Sequence, residues 1–186
     1  MRIGHLFLLG LGGLAAGVFL VLQEPYRLQR LFSFIDPTRD PKGSGWQILQ
    51  SLMALGSGGI IGLGLGRSRQ KFFYLPEPHT DYIFSIIGEE LGLLGTILIL
   101  LLFFGLGWRG YKIALSTSDT YGSLLAVGIT SWLVAQALIN IAVVTATIPA
   151  TGITLPLLSY GGSSLGITMI AIGILFNISR TTRDNL

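Results

Sequence analysis

Four long apolar runs constrain this chain more than any other feature. Residues 3–22, 82–108 and 121–148, and a shorter run at 164–178, carry almost no charged side chain. About 20 such residues in a helix, rising ~1.5 Å each, cross the ~30 Å hydrocarbon core of a bilayer. A soluble helix of that length would need a polar face, which these runs lack. Charged residues make up 11% of the chain, against roughly 25% in an ordinary soluble domain. That excludes a disordered tail, a coiled coil and a typical cytosolic enzyme. With 186 residues there is room for about four crossings and their loops. The expected fold is an all-α integral membrane protein, a single membrane domain over residues 1–186.

The first run has a rival reading as a signal peptide, because Arg2 precedes it. Its length, and the lack of a small-residue cleavage site before Glu24-Pro25-Tyr26-Arg27, favour a spanning helix. The last run, closed by Arg180 and Arg183, reads as a short helix.

Residues 24–81 break the apolar pattern. They hold seven of the twelve Lys/Arg and five of the nine Asp/Glu residues. So long a connection tends to be functional. Within it, residues 46–65 are nearly uncharged but are cut by Gly56, Gly58, Gly59, Gly62 and Gly64. This pattern predicts an amphipathic helix followed by a turn, lying at the interface or re-entering the membrane, where irregular backbone must face protein or water. A simple positive-inside count gives the long loop's side seven basic residues. The other side has five (Arg2, Arg109, Lys112, Arg180 and Arg183). Taken alone, the count makes the loop cytoplasmic, but the rule weakens for loops near 60 residues, so orientation stays open.

There are no cysteines, and the two histidines, His5 and His79, lie far apart in sequence. Neither a disulfide framework nor a histidine metal cluster is expected, and no metal ligands are assigned. The net charge of +3 is scattered, with no dense basic run to suggest nucleic acid.

The densest ionisable cluster runs from Arg67, Arg69 and Lys71 through His79 and Thr80 to Asp81, at the start of the second apolar run. One reading has Thr80 or Asp81 capping the helix and the cations meeting lipid phosphates. The other makes Asp81 a general base at the membrane surface, with Arg67, Arg69 and Lys71 holding a phosphate or pyrophosphate. Glu89 and Glu90 follow eight and nine residues later, roughly 12–14 Å along a helix. That is too far for a two-carboxylate glycosidase pair. As intramembrane carboxylates they read equally as cavity-lining or structural groups and as catalytic ones. Gln136 and Asn140, at i and i+4, read as glue between helices rather than as ligand contacts, with Gln136 structural or lining a cavity. Ser159-Tyr-Gly-Gly-Ser-Ser164 is either a backbone nest for an anion, with Ser159, Gly161, Gly162, Ser163 and Ser164 as its contacts, or a flexible approach to the last helix. These residues leave three classes open: a membrane transferase acting on a lipid-linked anion, a transporter or lipid flippase, and a non-catalytic scaffold.

Glu24-Pro-Tyr-Arg, Gly43-Ser-Gly-Trp-Gln-Ile-Leu-Gln-Ser-Leu, Tyr74-Leu-Pro-Glu-Pro-His-Thr-Asp-Tyr-Ile-Phe with Gly88-Glu-Glu-Leu-Gly, and Leu155-Pro-Leu-Leu-Ser-Tyr-Gly-Gly-Ser-Ser resemble the SEDS family of shape, elongation, division and sporulation proteins. Thr154-Leu-Pro and Arg69-Gln-Lys-Phe-Phe-Tyr-Leu-Pro-Glu-Pro look closer to its division branch, FtsW, than to RodA. The resemblance covers the last four of the family's roughly ten spans. It implies a multi-pass protein of the bacterial plasma membrane that polymerises glycan from lipid II, with undecaprenyl pyrophosphate leaving. It matches Asp81 to the family's essential aspartate and puts the 24–81 loop, which carries it, outside the cell. It implies a class B penicillin-binding protein transpeptidase and other division-complex membrane proteins as partners, and no nucleic acid. No cofactor is required, although a divalent cation could aid the leaving group. Lipid II flipping and scaffolding of the division machinery remain the alternatives.

Overall fold

The computed structural model describes residues 3–39, 44–68 and 80–184. Among them every regular element is helical: α1 (Ile3–Gln23), α2 (Pro25–Ile35), a 3₁₀ turn (Pro37–Arg39), α3 (Ser44–Ser57), α4 (Ile83–Ser116), α5 (Thr120–Val144) and α6 (Gly162–Asp184). Among the described residues α4, α5 and Gly162–Thr181 of α6 are long and apolar enough to cross a membrane. α1 forms 21 residues of helix where the first span is expected. The last span is not short: it covers 20 residues, Gly162–Thr181, because the helix already starts at Gly162 and runs on past Ile178.

The 24–81 region is largely helical in its described parts. α2 starts with Pro25, whose missing N–H costs nothing in a first turn, after Glu24 in an extended conformation. Its apolar residues Leu31, Phe32 and Ile35 face outward, while Ser33 is buried and Arg30 half-buried. That distribution fits a helix lying in a membrane interface. α3 turns Ile48, Gln50, Ser51 and Ala54 inward. The Ser51 hydroxyl sits 2.7 Å from that of Ser85 and donates to the Val144 carbonyl at 2.7 Å, which ties α3 to α4 and α5 in one buried spot.

α4 and α5 pack closely because small residues line their contact. Gly107 faces Val134, and a Cβ on Gly110 would strike the Thr130 side chain. The Asp119 carboxylate caps α5, accepting from the Gly122 N–H at 2.7 Å. One apolar cluster joins Tyr82, Phe84, Phe103, Ala137, Val144 and Leu155; another joins Ala114, Ala126 and Leu175 nearer the opposite end.

α4 is broken at Gly92, where φ is 67° and ψ −161°. In an unbroken helix the N–H groups of Leu93 and Leu94 would bond the carbonyls of Glu89 and Glu90. Instead, Leu63 and Gly64 donate to those carbonyls, both at 3.0 Å. Leu93 and Leu94 donate to Gly59 and Ile60, at 2.9 and 3.3 Å. The glycine-rich turn after α3 thus inserts into the helix and takes over its two opened bonds. Bilayer hydrocarbon offers no water to do so. The approach requires glycine. A Cβ on Gly58 would collide with the Gly88 carbonyl, one on Gly62 with that of Glu90, and one on Gly92 with the backbone of Ile60 and Gly62. The expected re-entering turn is therefore docked against protein.

Candidate active site

Asp81 is half-buried and lies just outside α4. It does not cap the helix. The N-cap position is Tyr82, whose side chain makes no capping bond. Two side chains from elsewhere fix the backbone at Asp81 instead. Asn140 on α5 donates to the Asp81 carbonyl at 2.8 Å and to the Ile153 carbonyl at 2.7 Å. The Ser159 hydroxyl donates to the Thr80 carbonyl at 2.5 Å and accepts from the Leu155 N–H at 2.8 Å. Gly152, with φ +71°, brings the backbone of the 149–161 segment so near that a Cβ there would lie 3.6 Å from the carboxylate Oδ2 of Asp81.

Arg30 enters from α2, donating to the Ala150 carbonyl at 3.1 Å. Its charge and that of Asp81 both act on Tyr82, one residue ahead of the membrane helix. Burial first, then the Asp81 charge, push the phenol up to about 12 against the opposing pull of Arg30. Tyr82 therefore stays neutral at any physiological pH, and its buried hydroxyl has no hydrogen-bond partner among the described residues. A carboxylate, a guanidinium and exposed backbone thus converge from three elements far apart in sequence.

Gln136 and Asn140 do not glue helix to helix. Gln136 donates to the Thr154 carbonyl at 3.0 Å, one residue from the carbonyl Asn140 holds. Their i, i+4 spacing makes a two-point clamp on the segment beside Asp81. Ser159 is buried and committed to bracing that segment. The Ser164 and Thr154 hydroxyls lie 3.1 Å apart. Gly161 is half-buried, while Gly162 and Ser163 are exposed at the start of α6. Glu89 is 1% exposed and accepts from the buried Ser68 hydroxyl. One carboxylate oxygen of Glu90 is buried and unpartnered among the described residues. Both glutamates flank the break in α4, beside the inserted turn. Arg67 is exposed at the end of that turn, and Arg69, Lys71 and His79 lie outside the described residues. Among the described residues no three His, Asp or Glu side chains gather as metal ligands.

Sequence reasoning missed Arg30. The available signal was the amphipathic pattern of α2, which sets Arg30 apart from the apolar Leu31, Phe32 and Ile35.

The chain as a whole has counterparts among known proteins. The cell cycle protein family of FtsW, RodA and SpoVE matches residues 1–184. The chain belongs to this family. As a SEDS protein it is a membrane protein. It is 60% identical over 182 residues to stage V sporulation protein E of Bacillus subtilis, covering 98% of this chain and 50% of that protein. It is 52% identical over 176 residues to a probable peptidoglycan glycosyltransferase FtsW of Trichlorobacter lovleyi, covering 94% and 46%. Among solved structures, one described as "Structural coordination of polymerization and crosslinking by a peptidoglycan synthase complex" is similar with a TM-score of 0.71 and 34% identity, over 95% of this chain and 49% of that one. An aspartate-to-alanine mutant of the rod shape determining protein RodA from Thermus thermophilus is similar with a TM-score of 0.54 and 33% identity, over 70% and 39%. This SEDS chain thus spans about half the length of the curated relatives it matches.

Proposed function

We propose that this chain carries the catalytic aspartate of a peptidoglycan glycosyltransferase that polymerises lipid II. The observation that carries the reading is the two-sided clamp on Asp81: Asn140 holds its own carbonyl and Ser159 that of Thr80. A base fixed in this way loses little freedom when a substrate hydroxyl arrives. Relatives named probable peptidoglycan glycosyltransferase support the reaction class.

In this mechanism the Asp81 carboxylate takes the proton from the 4-hydroxyl of the acceptor sugar. The freed oxygen forms a bond to the anomeric carbon of the growing glycan, and the bond from that carbon to the pyrophosphate oxygen breaks. Undecaprenyl pyrophosphate leaves with the electron pair and needs no strong general acid. Arg30, together with Arg67, Arg69 and Lys71, supplies positive charge for the departing pyrophosphate, and His79 a hydrogen-bonding contact. The backbone of Gly161, Gly162 and Ser163 at the start of α6 offers further donors. No step is routed through a metal ion.

The reaction needs the 24–81 loop on the outer face of the plasma membrane, where its cations act as a headgroup and pyrophosphate surface rather than as a topology signal. A class B penicillin-binding protein, which would cross-link the new strands, is the proposed partner. The similarity to a synthase complex that coordinates polymerization and crosslinking supports it.

The decisive experiment uses the full-length protein with its transpeptidase in a lipid II polymerisation assay. Asp81→Asn, folded as judged by monodisperse elution, should lose about 100-fold or more of its rate. Normal glycan synthesis by that variant would remove Asp81 from the mechanism. Transbilayer movement of lipid II with no glycan from the wild type would favour a flippase instead.

A further inference from the structure

A groove of about 650 Å³ opens between the second half of α4 and α6, away from Asp81. On α4 its wall runs from Leu101 to Ser116, roughly 22 Å of helix. One leaflet of a bilayer, with its headgroups, is about 20–22 Å deep. The groove changes character along that length. Leu102, Gly105 and Phe176 make its deeper part apolar, whereas Arg109, Lys112, Ser116 and Ser179 line the end toward the membrane surface. Arg109 lies roughly 40 Å of helical rise beyond the start of α4, so this end belongs to the leaflet opposite the candidate active site.

Arg109 and Lys112 are three residues apart on one face of α4, and both are exposed. No carboxylate pairs with either among the described residues. Two cations above an apolar channel of leaflet depth match the anatomy of a phospholipid with a net negative headgroup. A guanidinium fork suits phosphate oxygens, and each basic residue near the surface favours anionic lipid. We propose that this groove binds an anionic phospholipid, its acyl chain along Leu102, Gly105 and Phe176 and its phosphate between Arg109 and Lys112. The site is independent of the chemistry assigned to Asp81.

Native mass spectrometry of the full-length protein, titrated with phosphatidylglycerol or phosphatidylcholine, tests this. The wild type should retain phosphatidylglycerol about tenfold better. Arg109→Gln with Lys112→Gln should erase the preference. Gly105→Leu keeps both charges and fills the groove, since a Cβ there meets nothing within 4 Å. It should lower retention of phosphatidylglycerol without lowering the melting temperature. Equal retention of the two lipids by the wild type would overturn the proposal and leave the groove to a protein segment instead. Undiminished retention in the Gly105→Leu variant would also overturn it, leaving only headgroup attraction at the surface.

Discussion

α4 and α5 lie side by side, yet they meet the demands of a membrane interior in opposite ways. α4 is opened at Gly92, and its freed backbone groups are satisfied by the backbone of another segment. α5 keeps its own ladder intact through the same depth and sends side chains, Gln136 and Asn140, to satisfy the backbone of another segment. In the first case the polar groups are peptide units, which only glycine can bring close enough. In the second they are amides on long side chains, and the backbone need not approach. Irregular chain near a bilayer is thus held by either kind of donor, provided that none is left unpaired.

The largest effect should come from the glycine side of this contrast. Gly62→Ala and Gly92→Ala each place a Cβ into backbone at a positive φ. Each should cost about 3 kcal/mol or more and sharply reduce the yield of monodisperse protein. A methyl group on Gly128 of α5 would meet nothing within 4 Å, so Gly128→Ala should gain about 0.5–1 kcal/mol in thermal unfolding in detergent. Equal tolerance at all three positions would break the contrast.

Next in size is Asn140→Leu. It strips the donor from two carbonyls, of Asp81 and Ile153, and should cost about 2 kcal/mol. In the polymerisation assay it should lower kcat more than it raises KM, because it loosens the base rather than the substrate. An unchanged kcat would mean that the clamp does not position Asp81. Gln136→Ala removes one bond and should cost about 1 kcal/mol, with a smaller drop in rate. A larger loss there than at Asn140 would reverse the order of the two clamp points.

The smallest change is stabilising. Ala146, just beyond the end of α5, has φ 52°, a conformation that glycine adopts without strain. Ala146→Gly should raise stability by up to about 1 kcal/mol, read as a higher melting temperature. A lower melting temperature would show that the methyl packs there to more effect than the strain it bears.

Much of this organisation was legible in the sequence because hydropathy acts locally. The runs at 82–108 and 121–148 became α4 and α5, and the glycines of 56–64 announced irregular chain. Boundaries were less legible: Gly162 and Ser163 read as loop but extend α6, since a helix can begin on residues that would weaken its middle. The candidate site was half legible. Asp81 stood out because a carboxylate beside an apolar run is costly and needs a reason. Arg30 did not, since nothing local connects α2 to the chain near Ala150. Asn140 and Ser159 were noticed as polar residues, but no spacing rule reveals that both reach the two peptides beside Asp81.

The sequence by itself determined the solvent and the long helices: too little charge for water, apolar runs of bilayer length, and one charged region between the first two of them. Those follow from transfer free energies and helical rise, which depend on neighbouring residues alone. Only the tertiary structure decided which polar groups satisfy one another. Gly92 could have been an ordinary small residue in a straight helix. It is a break because residues 59–64 arrive to replace the two bonds it opens, and hydrogen bonding between segments far apart in the chain leaves no trace in local pattern.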